Sequence, residues 1–373
     1  MADNMSNLKK SPLYDYYVEK GLKLIDFGGW ALPVQYTSQI DEHNAVRNSV
    51  GIFETSHMGE IFVTGKDAQS FLNGLVTNDM RDCAVNQAHY TPFIKEDGGT
   101  LDDLIIFRTG EEEYMVTPNG ANKEKIFNWI KDHHDGEDVT IEDRSDEFGL
   151  IPVQGPNAQK VLAKITDADL DSIKSYHFLT KQTVAGVDNV IIGRNGYTGE
   201  DGFELYCPWD DTLTIWKALL EAGEEYDIAE CGLGSRDTLR LEGGMCLYGQ
   251  DLSEDINPIE GGVGFAVKTD KKDVDYIGKD KMIEERNGGQ TRVSRGFEIT
   301  GKGIARTGYE VFNKDDEKIG VVTSGTKSPT FGKAIGFIMI EKGSAKFGDE
   351  VYIQIRKKKS PAIVCKKDWL RRK

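Results

Sequence analysis

The 373-residue chain carries 38% apolar residues and a formal net charge of −16, which fits a globular protein of two or three domains with ample core material. So acidic a body repels nucleic acid, and no apolar run approaches membrane-spanning length. Five scattered cysteines form no CxxC, and six histidines include no HExxH. This argues against structural zinc, leaves the metal-ligand list at none, and points to a reducing compartment.

In chain order, the first ten residues, MADNMSNLKK, have neither an apolar h-region nor a cleavage pattern, so a cytoplasmic location is expected. Residues 61–75, IFVTGKDAQSFLNGL, are echoed at an offset of 90 by residues 151–165, IPVQGPNAQKVLAKI. Each copy reads as a strand, a glycine turn, an Asx cap (Asp67, Asn157) and a helix with one apolar stripe. The echo continues: TGEEEYMVTP (109–118) matches TGEDGFELYCP (198–208), and Pro118 pairs with Pro208. Each proline leads into a helix, NKEKIFNWI (122–130) or DTLTIWKALL (211–220). Both halves thus hold strand–helix–strands–helix, a split layout of the ferredoxin-like kind. Such halves pack about a pseudo-twofold axis, a place that ligand clefts favour.

Within the first half, GGTLDDLIIF (98–107) puts adjacent carboxylates at the mouth of an apolar strand. Alternation places Leu101, Asp103, Ile105 and Phe107 on one face, and Asp102, Leu104 and Ile106 on the other. With both faces apolar, at least one carboxylate stands at the edge of a core, where charge is costly unless paired or ligand-bound. The alternative is that Asp102 and Asp103 merely cap a turn after Gly98-Gly99. In the second half NVIIGRN (189–195) is the equivalent strand, running into GRNGYTGEDGFELY (193–206). Its glycines permit close backbone approach to a flat ligand, and Glu204 lies opposite Phe203 and Leu205; a Glu–Arg hairpin pair is the plainer reading. CGLGSRDTLRLEGG (231–244) reads as a short helix capped by Ser235 and closed by Gly243-Gly244, with Arg236 able to fork onto a carboxylate or to form a surface ion pair.

Beyond the charged stretch 268–289, short strands between Gly, Lys and Asp turns indicate a small all-β barrel or sandwich from about Arg292. The last 18 residues, Arg356 to Lys373, hold nine Lys/Arg and one acid, Asp368. That run is either a lysine-blunted edge strand or a docking patch for an acidic partner.

Seven stretches together resemble the glycine cleavage system T proteins, a folate-dependent aminomethyl-transfer family, over nearly the whole chain. They are SPLYDYYVEKGLKLIDFGGWALPVQY (11–36), ETSHMGEI (54–61), GGTLDDLI (98–105), GYTGEDGFE (196–204), GSRDTLRLEGG (234–244), LYGQDL (247–252) and SGTKSPT (324–330). The resemblance implies an α+β fold with two ferredoxin-like, pseudo-repeated halves and a C-terminal barrel, a three-domain cloverleaf around a central folate cleft. Boundaries of 1–275 for the interleaved folate-binding region and 290–373 for the barrel follow. The implied reaction takes the aminomethyl group from the lipoyl arm of the carrier H protein. With tetrahydrofolate as co-substrate it gives 5,10-methylenetetrahydrofolate, ammonia and the reduced carrier. By position, Asp103 matches the catalytic aspartate, Glu204 and Arg236 match folate-binding residues, and Asn119, Tyr197, Met58 and Tyr90 fall on stretches lining the cleft. A monomer, without nucleic acid or membrane as partner, is expected. The alternative is a tetrahydrofolate-dependent demethylase of the same superfamily acting on a small methylated donor. Two departures stand out: Pro118 replaces the usual branched apolar residue, and the end CKKDWLRRK replaces a Pro-Phe-Tyr-like close, with Arg371 and Arg372 able to substitute for ligand contacts there.

Overall fold

The computed structural model describes residues 7–270 and 272–372, without the side chains of 371 and 372, so the expectation about ligand contacts of Arg371 and Arg372 lies outside what is described. Two compact units form, both discontinuous in sequence. One holds residues up to Gln69, then Asp82–His89 and Ile105–Leu239; the other holds Ser70–Arg81, Tyr90–Leu104 and Arg240 onward.

The chain starts with helix α1 (Tyr14–Glu19), the hairpin β1 (Leu24–Phe27) and β2 (Trp30–Pro33), and helix α2 (Gln39–Asn48), which is capped by Ser38. After β3 (Gly51–Ile52) the first repeat runs β4 (Ile61–Thr64), α3 (Ala68–Leu75), β5 (Ala88–Ile94), β6 (Thr100–Gly110), β7 (Glu113–Thr117), α4 (Lys123–Asp132) and β8 (Thr140–Asp143). The second runs β9 (Phe148–Gln154), α5 (Ala158–Leu162), β10 (Phe178–Val184), β11 (Val187–Gly193), β12 (Gly202–Pro208) and α6 (Thr212–Ala222), and β13 (Ala229–Glu230) follows. Sheet orders β5-β6-β7-β4-β8 and β10-β11-β12-β9-β3-β13 repeat the same four-strand arrangement. β5 and β10 begin and end 90 residues apart. The duplication read from short sequence echoes is therefore structural.

One core lies between β9 and β12 and the helices that cover them: Ile151, Val153, Phe203 and Leu205 pack with Val161, Leu162, Ile215, Trp216 and Leu219. A second apolar seam joins the two sheets. Phe62, Phe107 and Met115 come from one, and Leu150, Phe178, Ile191 and Tyr206 from the other, with the Phe107 ring edge-on to Phe178 and Tyr206 at 5.2 and 5.3 Å. Burial on both faces accounts for the near-continuous apolar character of these strands.

The glycine turns of the repeat hold a backbone that side chains resist: Gly65 and Gly155 have φ of 129° and 125°. A Cβ would lie 2.1 Å from the Asp138 carbonyl oxygen in the first and 2.5 Å from that of Ser49 in the second. Of the two Asx residues two positions on, Asn157 does not cap its helix as expected. Asn157 makes no side-chain cap bond and donates to Ser49 Oγ (3.1 Å), while Asp67 Oδ2 accepts from Asp138 N (2.8 Å). Both tie the turn to the segment it approaches.

In the other unit, β14 (Arg292–Ile299), β15 (Glu310–Phe312), β16 (Lys318–Lys327), β17 (Ala334–Glu341), β18 (Glu350–Ile355) and β19 (Lys358–Cys365) close as a barrel in the order β14-β17-β16-β15-β18-β19. Phe297, Val311, Val322, Ile338, Ile353 and Val364 fill it. Closure removes the free edge that the lysine-blunting reading assumed. Lys359 bonds Asp316 and lies over the Phe312 ring, Lys367 lies over Phe337 and donates to the Gly261 carbonyl (3.1 Å), and Arg356 and Lys357 form the turn of a hairpin.

Gly65→Ala and Gly155→Ala should each destabilise by about 1–3 kcal/mol, the usual cost of a disallowed backbone region. Gly74→Ala, on helix α3 with open space at its Cβ, should stabilise by about 0.5–1 kcal/mol. Urea unfolding of the three variants checks both signs; equal effects would contradict the backbone argument.

Candidate active site

Strand β6 enters its sheet through a tightly pinned turn. Gly99 N donates to Asp97 Oδ1 (2.9 Å), so Asp97 supplies the turn-closing carboxylate and leaves Asp102 and Asp103 on the strand. A Cβ on Gly99 would lie 2.0 Å from the Glu254 carbonyl oxygen. Thr100 N donates to the Ser253 carbonyl (2.9 Å), Thr100 Oγ1 to that of Ile256 (2.6 Å), and Tyr248 Oη to that of Thr100 (3.0 Å). The LYGQDL stretch and its continuation thus fix where the two aspartates emerge.

Asp102 is fully buried and Asp103 half-buried. Tyr90 Oη donates to Asp103 Oδ2 at 2.9 Å, and the Tyr90 ring stacks on the exposed Phe265 at 5.7 Å. Burial, and then the charges of Asp102 and Asp251, push the Asp103 carboxyl well above the usual carboxylate range, against the pull of the Tyr90 bond. Asp251 is itself tied to buried Arg240 (2.8 Å) and receives Ser324 Oγ.

The remaining predicted residues lie in the other compact unit. Glu204, on β12, is buried and accepts from Asn195 Nδ2, with Tyr206 Oη 3.5 Å away. Burial raises its carboxyl, opposed by Arg236, Asn195 and Tyr206. The hairpin arginine pairs elsewhere: Arg194 forks onto Asp201 at 2.5 and 3.0 Å, which removes the plain Glu–Arg reading of Glu204. Arg236 lies 4.7 Å from the Tyr197 ring centroid, a cation–π distance. Met58 packs against the inter-sheet seam. Asn119 heads the short turn Gly120–Asn122, accepting from Asn122 N (2.8 Å).

Ser235 does not cap its helix. Helix α7 spans Leu233–Glu242, Ser235 sits in its first turn, and Glu42 from α2 accepts from Gly232 N (2.9 Å) and Ser235 Oγ (3.1 Å). Sequence reasoning missed two residues beside the predicted set. Asn195 keeps a buried Oδ1 without a partner. The signal that points to it is its nine-residue spacing from Glu204 across a hairpin, not its place just after Gly193 and Arg194. His57, next to Met58, is buried with Nδ1 unpartnered, and burial, Arg236 and Lys123 push its pKa down to about 3, so it stays neutral.

Comparison with known proteins now decides the family. Residues 13–271 match the GCVT N-terminal domain, and residues 292–369 match the glycine cleavage T-protein C-terminal barrel domain. The chain belongs to the glycine cleavage T-protein family. A Staphylococcus carnosus aminomethyltransferase is 46% identical over 367 residues, covering 98% of this chain and 100% of the relative. One from Bacillus velezensis is 49% identical over 365 residues, covering 98% and 99%. The crystal structure of glycine cleavage system aminomethyltransferase T from Bartonella henselae superposes with a TM-score of 0.90 at 30% identity, covering 97% and 98%. As a T-protein family member the chain is an aminomethyltransferase, and tetrahydrofolate is its co-substrate. A folate suits the groups found: the buried Glu204 carboxylate and the unpartnered Asn195 Oδ1 both accept from N–H donors, which the edge of a pterin offers.

A carboxyl with a raised folded-state pKa binds more protons folded than unfolded between its two pKa values, so stability falls as pH rises through that window. Asp103→Asn removes this loss. The variant should be more stable than the parent above about pH 4, with a gap that widens toward neutrality. Urea unfolding between about pH 3.5 and 8 measures it; parallel curves would show that the proton affinity of Asp103 is not raised.

Proposed function

We propose that Asp103 is the catalytic carboxylate of this aminomethyltransferase, and that Glu204, Arg236, Tyr197, Asn119, Met58 and Tyr90 form its folate-binding set. The observation that carries the reading is the half-buried Asp103, bonded to the Tyr90 hydroxyl and with its proton affinity raised by burial and by Asp102. The folate supplies the nucleophilic nitrogens that take up the one-carbon unit. A carboxylate of raised pKa is the better base near neutral pH: it orients those N–H groups, stabilises positive charge that develops on them and accepts the proton they release. Tyr90 fixes the carboxylate rotamer through its 2.9 Å bond.

Glu204 accepts hydrogen bonds from the pterin edge, aided by Asn195, which holds the carboxylate in place. Arg236, stacked on Tyr197, presents a cation to ligand acceptors. Neutral His57 adds no charge beside Arg236. The donor is the aminomethylated lipoyl arm of the H protein, and ammonia and the dihydrolipoyl carrier are released. We read residues 1–275 as the folate-binding region and 290–373 as the barrel domain of a monomeric cytoplasmic enzyme; among the described residues no helix is long and apolar enough to cross a membrane.

Asp103→Asn should lower turnover by roughly 10²–10⁴ while tetrahydrofolate still binds. Asp102→Asn should cost far less and move the acidic limb of the pH–rate profile to lower pH, because it removes a like charge beside Asp103. Equal losses in turnover would contradict the assignment.

Glu204→Gln and Arg236→Ala should weaken tetrahydrofolate binding roughly ten- to a hundredfold, the effect of losing a charged hydrogen bond worth about 1.5–3 kcal/mol. Calorimetric titration reads this directly. Unchanged dissociation constants would return both residues to a structural role.

A further inference from the structure

Helix α2 turns an acid, an imidazole and a guanidinium toward the interior: Glu42, His43 and Arg47 are all buried. Their partners lie far along the chain. Glu42 Oε2 accepts from Gly232 N and Ser235 Oγ, His43 Nδ1 lies 2.8 Å from Thr238 Oγ1, and Arg47 Nη2 donates to the Leu239 carbonyl at 3.1 Å. The three residues follow helix α7 from Gly232 to Leu239. An apolar cluster of Val46, Phe53, Cys231 and Leu239 packs the same helices together.

Arg47 reaches further than this packing needs. Its Nη1 donates to the Thr198 carbonyl at 2.6 Å and to Glu200 Oε1 at 3.0 Å. One planar guanidinium therefore joins the turn that follows Tyr197 to the helix that carries Arg236. Its donors diverge at fixed angles, so the separation of the two carbonyls is set by the fork itself; an ammonium on a flexible stem imposes no such geometry.

We propose that Arg47 is a positioning residue for tetrahydrofolate binding, holding Tyr197 and Arg236 in the 4.7 Å stack that meets the ligand. It acts through those two residues, and the proposal rests on their reading as folate-binding groups. Glu42 and His43 already anchor α7, so what Arg47 adds is the register between helix and turn.

The test is Arg47→Lys in the full chain, with thermal unfolding and steady-state kinetics at varied tetrahydrofolate. A positioning role predicts a KM for tetrahydrofolate raised about tenfold, kcat within twofold, and a melting temperature within a few degrees of the parent. In an Arg236→Ala background the same substitution should change KM less than twofold, because the Tyr197–Arg236 stack that Arg47 holds is already gone. An unchanged KM in Arg47→Lys overturns the proposal, as does an equal KM rise in both backgrounds. Should the lysine variant fail to fold, Arg47→Gln, a shorter planar donor, is read by the same criteria. The site reading fails separately: it is lost if Arg236→Ala alone leaves tetrahydrofolate affinity unchanged.

Discussion

Everything else in the repeated region follows from the seam between the two sheets. Phe62, Phe107 and Met115 meet Leu150, Phe178, Ile191 and Tyr206, so each sheet has one face against the other, and the second carries helices on its reverse. Polar chemistry is then confined to strand ends and to the turns between strands. Asp103 lies at the entry end of β6 and Glu204 near the start of β12, each with buried apolar neighbours. Tyr206 belongs to both worlds: its ring packs in the seam, and its hydroxyl lies beside the Glu204 carboxylate.

The buried acids differ in how their charge is met, and the difference separates architecture from chemistry. Glu42 accepts from four donors, the backbone of Tyr36, Thr37 and Gly232 and the Ser235 hydroxyl. Asp251 has a guanidinium and a hydroxyl. Asp103 instead receives a neutral tyrosine hydroxyl and faces the like charges of Asp102 and Asp251. A carboxylate set between burial and like charges takes up a proton readily.

Much of this was legible in the sequence. Repeated glycines, apolar alternation and matched prolines carried the duplication, because positive φ and a period of two are local demands. The carboxylate in β6 was visible for the same reason: alternation made charge in a two-sided apolar strand conspicuous. Reading failed where partners lie far apart in sequence. Ser235 looked like a cap because serine before an apolar run usually is one; the carboxylate that serves that helix start comes from Glu42, 190 residues away from Gly232. The polar residues of SQIDEHNAVRN gave no hint that Glu42, His43 and Arg47 are buried, since their partners are backbone groups, hydroxyls and the Glu200 carboxylate, which no local pattern encodes. Asn157 misled similarly, bonding across to Ser49 instead of capping its helix.

The pinning of β6 has a consequence for how the molecule is made. Thr100 is held by Tyr248 and Ile256, 148 and 156 residues later. At roughly 5–20 residues per second, the ribosome releases the Asp103 strand on the order of ten seconds before the chain that fixes its entrance exists. Through that interval the nascent chain carries an apolar strand whose entrance at Thr100 is unpinned. Assembly of the β6 entrance thus waits until Tyr248 and Ile256 have left the exit tunnel.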